Sequence, residues 1–275
     1  MIARLHRVWW GLRQETTWGW QNLEKGRRRW IVDVLAYRAM ALPSVAGYYK
    51  KREGKRIRVI RTKQGVTLYY RTNRGDIQGI REIFIDEIYR LPDHLQVSGL
   101  VDFGANIGLA TVWLATTYQL DGVIAVEPLA ENARILRTNV RANGIACQVI
   151  EAAVGTKNGV TFFAETAESN LGHVASEGIE IPLINVVDIV KDLQFNATLL
   201  KMDIEGGEGE LLQSIDPSWV RAFTAIVMEM HPEIVNVGEL VETITRQGFD
   251  YRDSFEQTTG YQRIKRERLF VQLDS

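Results

Sequence analysis

Two short stretches of the chain place polar residues and glycines at the end of apolar runs. The first is Val101–Thr111 (VDFGANIGLAT), in which an acid is followed by two glycines, Gly104 and Gly108. The second is Leu200–Glu208 (LKMDIEGGE), which brings a lysine and several carboxylates to the end of another apolar run. A glycine turn can hold a nucleotide-like ligand, because glycine lets the backbone approach closely and adopt positive φ. Together the two stretches indicate group transfer from a nucleoside-bearing cofactor.

The ends of the first predicted strands supply the expected cofactor contacts. Ligands of doubly wound sheets bind outside the carboxyl ends of the strands, where the strand order reverses. Glu127 ends the second strand, 19 residues after Gly108, and its carboxylate can accept both hydroxyls of a ribose. The expected cofactor-binding residues are Asp102, Gly104, Asn106, Gly108, Glu127, Glu151, Ala152 and Asp76.

Three of these assignments are less specific. Glu151 and Ala152 end the third strand, where an adenine ring would rest, although an alanine beside another alanine also fits simple packing. Asp76 and Tyr89 come just before the sheet and could close over the cofactor. Structural roles fit both of them as well.

The glycine spacing separates two classes of cofactor. A dinucleotide-binding turn has glycines at relative positions 1, 3 and 6, so that a helix N-terminus meets the pyrophosphate. Here the glycines lie at positions 1 and 5, and Asp102 comes two residues before the first. An acid there would repel a pyrophosphate but attract the cationic amino acid portion and the sulfonium of S-adenosylmethionine. The spacing therefore favours S-adenosylmethionine.

The second stretch and the end of the next predicted strand hold the predicted catalytic residues. Lys201, Asp203 and Glu205 share one face of a strand if it stays extended, as do Glu229 and His231 on the next strand. We predict that Asp203 orients an acceptor hydroxyl or holds a divalent metal. Mg²⁺ would suit such oxygen ligands, although no ligand spacing requires a metal. His231 is the candidate base, because histidine titrates near neutral pH, and Lys201 could lower the pKa of the acceptor hydroxyl.

Each of these residues also has a structural interpretation. Lys201 could be a buried ion-pair partner, and His231 could cap the end of its strand. Glu205 and Glu208 could be first-turn acids that the helix dipole favours. Asp203 is the hardest to explain in this way, because an acid that ends an apolar run costs free energy unless it is paired.

At this point the sequence resembles the FkbM family of S-adenosylmethionine-dependent methyltransferases, over roughly residues 71–235. Besides the two stretches, the resemblance rests on Arg74-Gly75-Asp76, Ala125-Val126-Glu127-Pro128 and Val227–His231. Its most specific part is the Lys-x-Asp-x-Glu-Gly-x-Glu segment, Lys201–Glu208. The resemblance implies a Rossmann-like methyltransferase fold and methyl transfer, commonly to oxygen, on glycans, glycolipids or secondary metabolites.

The elements that must position these residues alternate along the chain. Strands are expected near residues 98–103, 122–127, 146–151, 197–203 and 223–230, and helices near 107–118, 129–142, 206–214 and 236–247. This alternation predicts an α/β fold with a mostly parallel, doubly wound sheet. A hairpin at 56–70, a helix at 77–89, extra strands at 160–163 and 180–186, and an antiparallel pair at 249–255 and 269–273 complete the prediction.

Residues 1–60 are predicted to form a basic, tryptophan-rich helical extension, ahead of a methyltransferase domain at 61–275. Residues 1–63 hold 16 Lys/Arg against 4 Asp/Glu, whereas residues 64–275 hold 17 against 30. This asymmetry suggests contact with an anionic surface such as a membrane. An equally weighted alternative is an arm that packs on the acidic body of its own or a second subunit. Nucleic acid ranks last, because no nucleic-acid-binding motif accompanies the basic residues.

The composition fits a soluble globular protein, since 45% of the residues are hydrophobic and 24% are charged. The single cysteine, Cys147, excludes an internal disulfide. We expect a cytoplasmic protein that methylates a hydroxyl of a glycan, glycolipid or secondary metabolite, with residues 1–60 either in peripheral contact with a membrane or in a homodimer. The alternatives are a nicotinamide-dependent oxidoreductase, which the glycine spacing disfavours, and a non-catalytic membrane or assembly module. The intact glycines and acids argue against such a degenerate cofactor fold.

Overall fold

The computed structural model describes residues 2–39, 54–72, 74–164, 173–175, 178–204, 207–213, 215–230, 232, 234–252 and 267–273. In chain order its strands are β1 (Leu23–Lys25), β2 (Gly54–Thr62), β3 (Thr67–Thr72), β4 (Gly99–Phe103), β5 (Gly122–Val126), β6 (Cys147–Ile150), β7 (Ala153–Gly155), β8 (Gly159–Ala164), β9 (His173–Ala175), β10 (Ile179–Asn185), β11 (Thr198–Met202), β12 (Ala225–Glu229), β13 (Phe249–Arg252) and β14 (Glu267–Gln272).

Its α-helices are α1 (Ile2–Asn22), α2 (Arg27–Ala39), α3 (Arg74–Ile80), α4 (Leu109–Tyr118), α5 (Ala130–Ala142), α6 (Val186–Val190), α7 (Glu208–Gln213) and α8 (Val237–Thr245). One π-helical turn, Arg81–Ile85, follows α3, and a 3₁₀ turn, Pro217–Ala222, precedes β12. No helix in the described ranges is both long and apolar enough to cross a membrane.

The central sheet contains seven of the described strands, in the order β13-β14-β12-β11-β4-β5-β6. The strands from β12 to β6 run parallel, and β14 is antiparallel to both of its neighbours. The chain enters the sheet at β4, proceeds outward to β6 and then returns to β11 on the other side of β4. The strand order therefore reverses between β4 and β11, which is where doubly wound sheets bind ligands.

The inner strands are buried over their whole length, because helices cover both faces of the sheet. β4, β5 and β11 consist mainly of apolar residues and are buried at every position, as is typical of parallel strands. Their side chains alternate between two hydrophobic clusters. One cluster, which includes Leu100 and Leu199, packs against α2, α4 and α5. The other, which includes Val101 and Leu200, packs against α7 and α8 on the opposite face.

The N-terminal helices pack on the body of their own chain. β1 pairs with β2 in a three-stranded sheet with β3. Leu23 and Trp30 are fully buried in the same cluster as Leu100. This packing is one of the two alternatives that the charge asymmetry left open. β2 continues through Ile60 to Thr62, so a strand crosses the boundary that the sequence predicts at residue 60.

The predicted α/β fold is confirmed, and the five parallel strands and four helices expected around the sheet lie within two residues of their predicted bounds. The extra strands at 160–163 and 180–186 belong to a separate sheet, ordered β7-β10-β8-β9. The helix predicted at 77–89 is wrong at both ends: α3 begins at Arg74, and the π-helical turn ends at Ile85. Glu87 has a φ of +48°, a left-handed conformation that a continuing helix does not allow.

Candidate functional site

The glycine turn after β4 and the loop after β11 are in direct backbone contact. Gly104 has a φ of +75°, and a Cβ at this position would overlap the carbonyl oxygen of Asp203. The backbone N–H of Asp203 donates to the carbonyl oxygen of Phe103 at 3.1 Å. The two stretches singled out by the sequence, although far apart along the chain, therefore form one site.

Left-handed residues shape the glycine turn. Asn106 has a φ of +50° and Gly108 one of +81°. The backbone N–H of Asn106 donates to Oε2 of Glu127 at 2.8 Å, which ties the turn to the end of β5. Oδ1 of Asn106 is buried and has no hydrogen-bond partner in the described part of the chain. Because buried polar atoms are normally paired, this oxygen is available to a ligand that carries a donor.

Glu127 is an oriented and nearly buried carboxylate, only 4% exposed. Its Oε1 accepts hydrogen bonds from the backbone of Leu129 and the side chain of Asn132, both at 3.0 Å, and its Oε2 accepts the bond from Asn106. Burial raises the pKa of Glu127, and the three hydrogen bonds offset this only in part. Oε2 accepts one protein donor, so the carboxylate can still bind a ligand hydroxyl.

Lys201 and Asp102 form a buried ion pair. They are register partners on adjacent parallel strands, and Nζ of Lys201 lies 3.1 Å from Oδ1 of Asp102, an ion contact rather than an aligned hydrogen bond. The hydroxyl of Thr111 donates to the other oxygen of Asp102 at 2.6 Å. Nζ also donates to the carbonyl oxygen of Gly104 at 2.8 Å.

The charge of Lys201 is fixed by its neighbours. Burial alone would lower the pKa of Lys201, but the carboxylates of Asp102 and Asp203 outweigh burial and raise the pKa above its ordinary value. The side chain therefore remains a cation near neutral pH and cannot accept a proton. The structural interpretation of Lys201 as a buried ion-pair partner agrees with this geometry.

Asp203 is less enclosed, with 23% of its side chain exposed. Its Oδ2 accepts a long hydrogen bond from the hydroxyl of Tyr89 at 3.4 Å and lies 3.9 Å from Nζ of Lys201. Its Oδ1 is buried and has no hydrogen-bond partner among the described residues. One carboxylate oxygen is thus held by the protein, while the other can receive a hydrogen bond from a bound hydroxyl.

Two of the predicted cofactor-binding residues, Asp76 and Glu151, form ion pairs with arginines. Asp76 is buried, and it accepts hydrogen bonds from the backbone and guanidinium of Arg71 at 2.7 to 3.0 Å. Glu151 pairs with Arg137 just after β6, and Ala152 beside it is buried. The proposed contacts of these three predicted residues with a cofactor remain predictions.

Two of the predicted catalytic residues, Glu205 and His231, lie outside the described residues. Glu208 is at the first turn of α7, where its Oε1 accepts a hydrogen bond from the backbone of Ile204 at 3.1 Å. Within the ranges that the structure describes, no group of three or more His, Cys, Asp and Glu side chains could hold a metal ion.

Sequence reasoning missed three residues that hold the site together: Thr111, Asn132 and Arg71. Thr111 and Asn132 each occupy the third position of the helix that follows a strand-ending acid. A polar residue at that position on an otherwise apolar helix face is a signal that could have identified both. Arg71 ends a hairpin strand among other basic residues, and nothing in the sequence distinguishes it from them.

Several known proteins are similar to this chain in sequence. The family model described as the methyltransferase FkbM domain matches residues 102–251. The 31-O-demethyl-FK506 methyltransferase FkbM of Streptomyces tacrolimicus is 27% identical over 233 residues, which are 70% of this chain and 89% of that protein. Methyltransferase 1 of Beauveria bassiana is 22% identical over 177 residues, 54% of this chain and 71% of that protein.

A solved structure, the methyltransferase FkbM of Methylobacillus flagellatus, aligns with 98% of this chain and 60% of its own, at 15% sequence identity and a TM-score of 0.44. The family match at residues 102–251 covers more than half of the 275 residues. It includes the glycine turn, Glu127 and the Asp203 loop. The protein therefore belongs to the FkbM methyltransferase family.

Proposed function

We propose that the protein transfers the methyl group of S-adenosylmethionine to a hydroxyl oxygen of a glycan, glycolipid or secondary-metabolite acceptor. One observation carries the proposal. Asp203 presents a buried carboxylate oxygen without a hydrogen-bond partner among the described residues, on a loop that touches the glycine turn directly. Such an oxygen, beside a cofactor-binding turn, suits an acceptor that arrives with a hydroxyl donor.

The residues at the glycine turn fit S-adenosylmethionine. The carboxylate of Glu127 would accept the ribose hydroxyls, and hydrogen bonds to a charged acceptor contribute about 1.5–3 kcal/mol each. Oδ1 of Asn106, buried and without a partner among the described residues, would accept from a donor of the cofactor. Glu151 and Ala152 would border the adenine. Asp102 would act through Lys201, because its own oxygens face Thr111 and Lys201.

The reaction would depend chiefly on alignment. Bound S-adenosylmethionine would supply a methyl carbon that an oxygen nucleophile can attack, and S-adenosylhomocysteine would leave as the carbon–sulfur bond breaks. Oδ1 of Asp203 would accept a hydrogen bond from the acceptor hydroxyl and so direct a lone pair of its oxygen. Alignment of reacting groups can contribute about 7–11 kcal/mol. Lys201 would hold the turn and the Asp203 loop in place, while the hydroxyl proton would pass to Asp203 or to His231.

The choice of oxygen as the methylated atom has one further support. The Streptomyces tacrolimicus relative is named as a methyltransferase of 31-O-demethyl-FK506. In this chain, Oδ1 of Asp203 has no hydrogen-bond partner among the described residues. A carboxylate oxygen accepts hydrogen bonds, so a hydroxyl of the methyl acceptor could donate to it. No group among the described residues favours a particular class of acceptor.

Isothermal titration with S-adenosylhomocysteine, the product form of the cofactor, tests the proposal first. Saturable binding is expected, and its absence would remove the basis of the proposal. A parallel titration with NADH should show no binding, and tight NADH binding would favour the oxidoreductase alternative. The acceptor can then be sought by mass spectrometry, in glycan and lipid extracts incubated with the enzyme and methyl-deuterated S-adenosylmethionine.

Asp203→Asn tests the role of the carboxylate. We expect turnover to fall on the order of 10²–10⁴-fold, the usual contribution of a positioned acid or base, with little change in the affinity for S-adenosylhomocysteine. Asp192→Asn, which alters an exposed acid ahead of β11, is the matched control and should keep full activity. An active Asp203→Asn enzyme would exclude Asp203 from the mechanism.

A further inference from the structure

Four of the five tryptophans of the N-terminal helices form an inward pair and an outward pair, and the fifth, Trp10, is partly exposed. Trp18 and Trp30 pack edge to face with ring centroids 5.7 Å apart, and Trp30 is fully buried. In contrast, Trp9 is 70% exposed and Trp20 is 61% exposed. Packing on the body of the protein thus accounts for the inward pair only. The outward pair needs another explanation, because tryptophan is on average among the well-buried residues.

The outward tryptophans share one side of α1 with polar and basic residues. At 3.6 residues per turn, Trp9, Arg13, Thr17 and Trp20 fall on the same side of the helix, and all four are exposed. The guanidinium of Arg27 lies 4.7 Å from the ring centre of Trp20. This side of α1 therefore combines large aromatic rings with positive charge.

The acids of the two helices point inward, where cations neutralise them. Glu15 is fully buried and pairs with Arg38 at 2.8 Å and with Arg81 at 3.8 Å. Asp33 is buried beside Arg58 at 3.4 Å.

In contrast, the cations that follow α1 face outward. Lys25, Arg28 and Arg29 are all exposed. The exposed charged side chains described between Trp9 and Ala39 are four cations, Arg13, Lys25, Arg28 and Arg29, and one acid, Glu24, which lies 3.5 Å from Arg61. The exposed surface of this segment is therefore cationic, although the whole chain has a net charge of only −1.

We propose that this outer surface docks the protein on an anionic membrane. We use the name docking face for the exposed tryptophans and cations of this segment, which are Trp9, Arg13, Trp20, Lys25, Arg28 and Arg29. Tryptophan has an apolar ring with one polar N–H and is enriched at membrane–water interfaces. A basic helix with tryptophans on its surface lies in the plane of such an interface.

A second copy of the chain fits the docking face less well than a membrane does. In a two-fold symmetric dimer the same patch meets itself. The cations of one docking face would then oppose those of the other, and like charges repel. An anionic lipid headgroup instead complements every cation of the face, so charge selects the membrane.

Vesicle sedimentation with the full-length protein tests the proposal. The protein should pellet with vesicles of phosphatidylcholine and phosphatidylserine, and pellet weakly with phosphatidylcholine alone. Each cation near an anionic surface strengthens binding about five-fold, so a combined Arg13→Gln, Arg28→Gln and Arg29→Gln variant should bind on the order of 100-fold more weakly. Added salt should weaken the binding of the wild type, because salt screens exposed charges.

The tryptophans are tested separately from the charges. A combined Trp9→Ala and Trp20→Ala variant should bind at least about ten-fold more weakly even at low salt, because it loses the apolar insertion but keeps every cation. The charge-matched control changes Lys157, Arg221 and Arg246 to Gln, and all three are exposed. Arg221 lies in the 3₁₀ turn and Arg246 directly follows α8. Both of these segments pack on the other side of the sheet. This control should pellet like the wild type.

Two results would overturn the proposal. One is equal pelleting by the wild type and the docking-face variants. The other is a wild type that does not bind vesicles but forms a dimer in analytical ultracentrifugation, together with a tryptophan variant that is monomeric. That result would assign the docking face to a second copy of the chain. Binding of S-adenosylhomocysteine by all variants should match the wild type. That titration shows that the variants are folded, and it keeps membrane docking separate from the proposed function.

Discussion

The glycine turn and the carboxylate of Asp203 meet at the same end of the sheet, but the protein holds them in different ways. At the turn, Asp102 is enclosed by Thr111 at 2.6 Å and Lys201 at 3.1 Å. Among the described residues, the side chain of Asp203 has only the 3.4 Å hydrogen bond from Tyr89 and a 3.9 Å contact with Lys201. On the proposed function, the closely held turn would be the cofactor end, and Asp203 would belong to an acceptor end that a bound substrate completes.

Disrupting the backbone contact between the glycine turn and Asp203 tests this comparison most directly and should have the largest effect. Gly104→Ala should lower the free energy of unfolding by about 4 kcal/mol or more, because its Cβ would overlap the backbone oxygen of Asp203. Gly65→Ala is the matched control: its φ of +93° is also positive, but its Cβ would meet no atom within 4 Å. It should cost only about 1–2 kcal/mol of backbone strain. Urea unfolding measures both, and equal losses would show that the close approach is unimportant.

Replacing Lys201, the cation beneath the glycine turn, should have the next largest effect on stability. Lys201→Met leaves Asp102 as a buried charge without its partner, which should cost about 3–5 kcal/mol of stability. In Lys191→Met, which breaks an exposed ion pair with Asp188, the unfolding midpoint should not change. A Lys201→Met protein as stable as the wild type would show that the buried ion pair contributes little, and would weaken the view of a rigid turn.

The raised pKa of Lys201 sets the pH range of its contribution. A folded-state pKa above the ordinary value means that the stabilisation is present in full below about pH 10.4, the ordinary lysine value, and is lost as the pH rises through the folded pKa. In urea titrations, the stability difference between wild type and Lys201→Met should therefore be constant near neutral pH. It should shrink only in strongly alkaline solution.

Glu127 tests the cofactor end without disturbing Asp203. Glu127→Gln should weaken S-adenosylhomocysteine binding ten-fold or more, because it replaces a charged acceptor. Burial raises the pKa of Glu127, so the carboxylate takes up its proton at a higher pH than an ordinary glutamate. Wild-type affinity should accordingly decline on acidification before an ordinary carboxyl group titrates, while the variant stays flat. Glu131→Gln, an exposed neighbour on α5, should bind like the wild type.

Replacing Tyr89 should have the smallest effect, and it tests whether this residue acts at the acceptor end or at the cofactor. Tyr89→Phe removes the long hydrogen bond to Oδ2 of Asp203, and a neutral hydrogen bond contributes about 0.5–1.5 kcal/mol. We expect kcat to fall about two- to ten-fold, with the KM for S-adenosylmethionine unchanged. A rise in that KM with an unaltered kcat would instead place Tyr89 at the cofactor.

The sequence alone predicts the strands and helices that position this site. The strands that end at Phe103, Val126 and Met202 are short apolar runs, and such runs alternate with amphipathic helices in the order of a parallel sheet. The glycine turn and the acids at the strand ends could therefore be assigned to one edge of the sheet. Asp203 was also identified from the sequence as an acid that ends an apolar run.

The pairing of side chains could not be predicted in the same way. Lys201 meets Asp102 only because β11 lies next to β4 in register, and no local pattern specifies which strands are neighbours. The end of the helix before the sheet was missed because Glu87 adopts a left-handed conformation, which glutamate rarely does. The outward position of Trp9 and Trp20 likewise depends on how α1 rests on the body.

The contact between Gly104 and the carbonyl oxygen of Asp203 limits how this enzyme could acquire new substrates. Lengthening or reshaping the loop at Asp203 would displace the cofactor turn along with it. The sheet formed by the described strands β7 to β10 is separate from the sheet that contains β4 and β11. Chimaeras that exchange residues 153–185 between relatives are therefore expected to leave the glycine turn in place, whereas grafts at the Asp203 loop are expected to displace it.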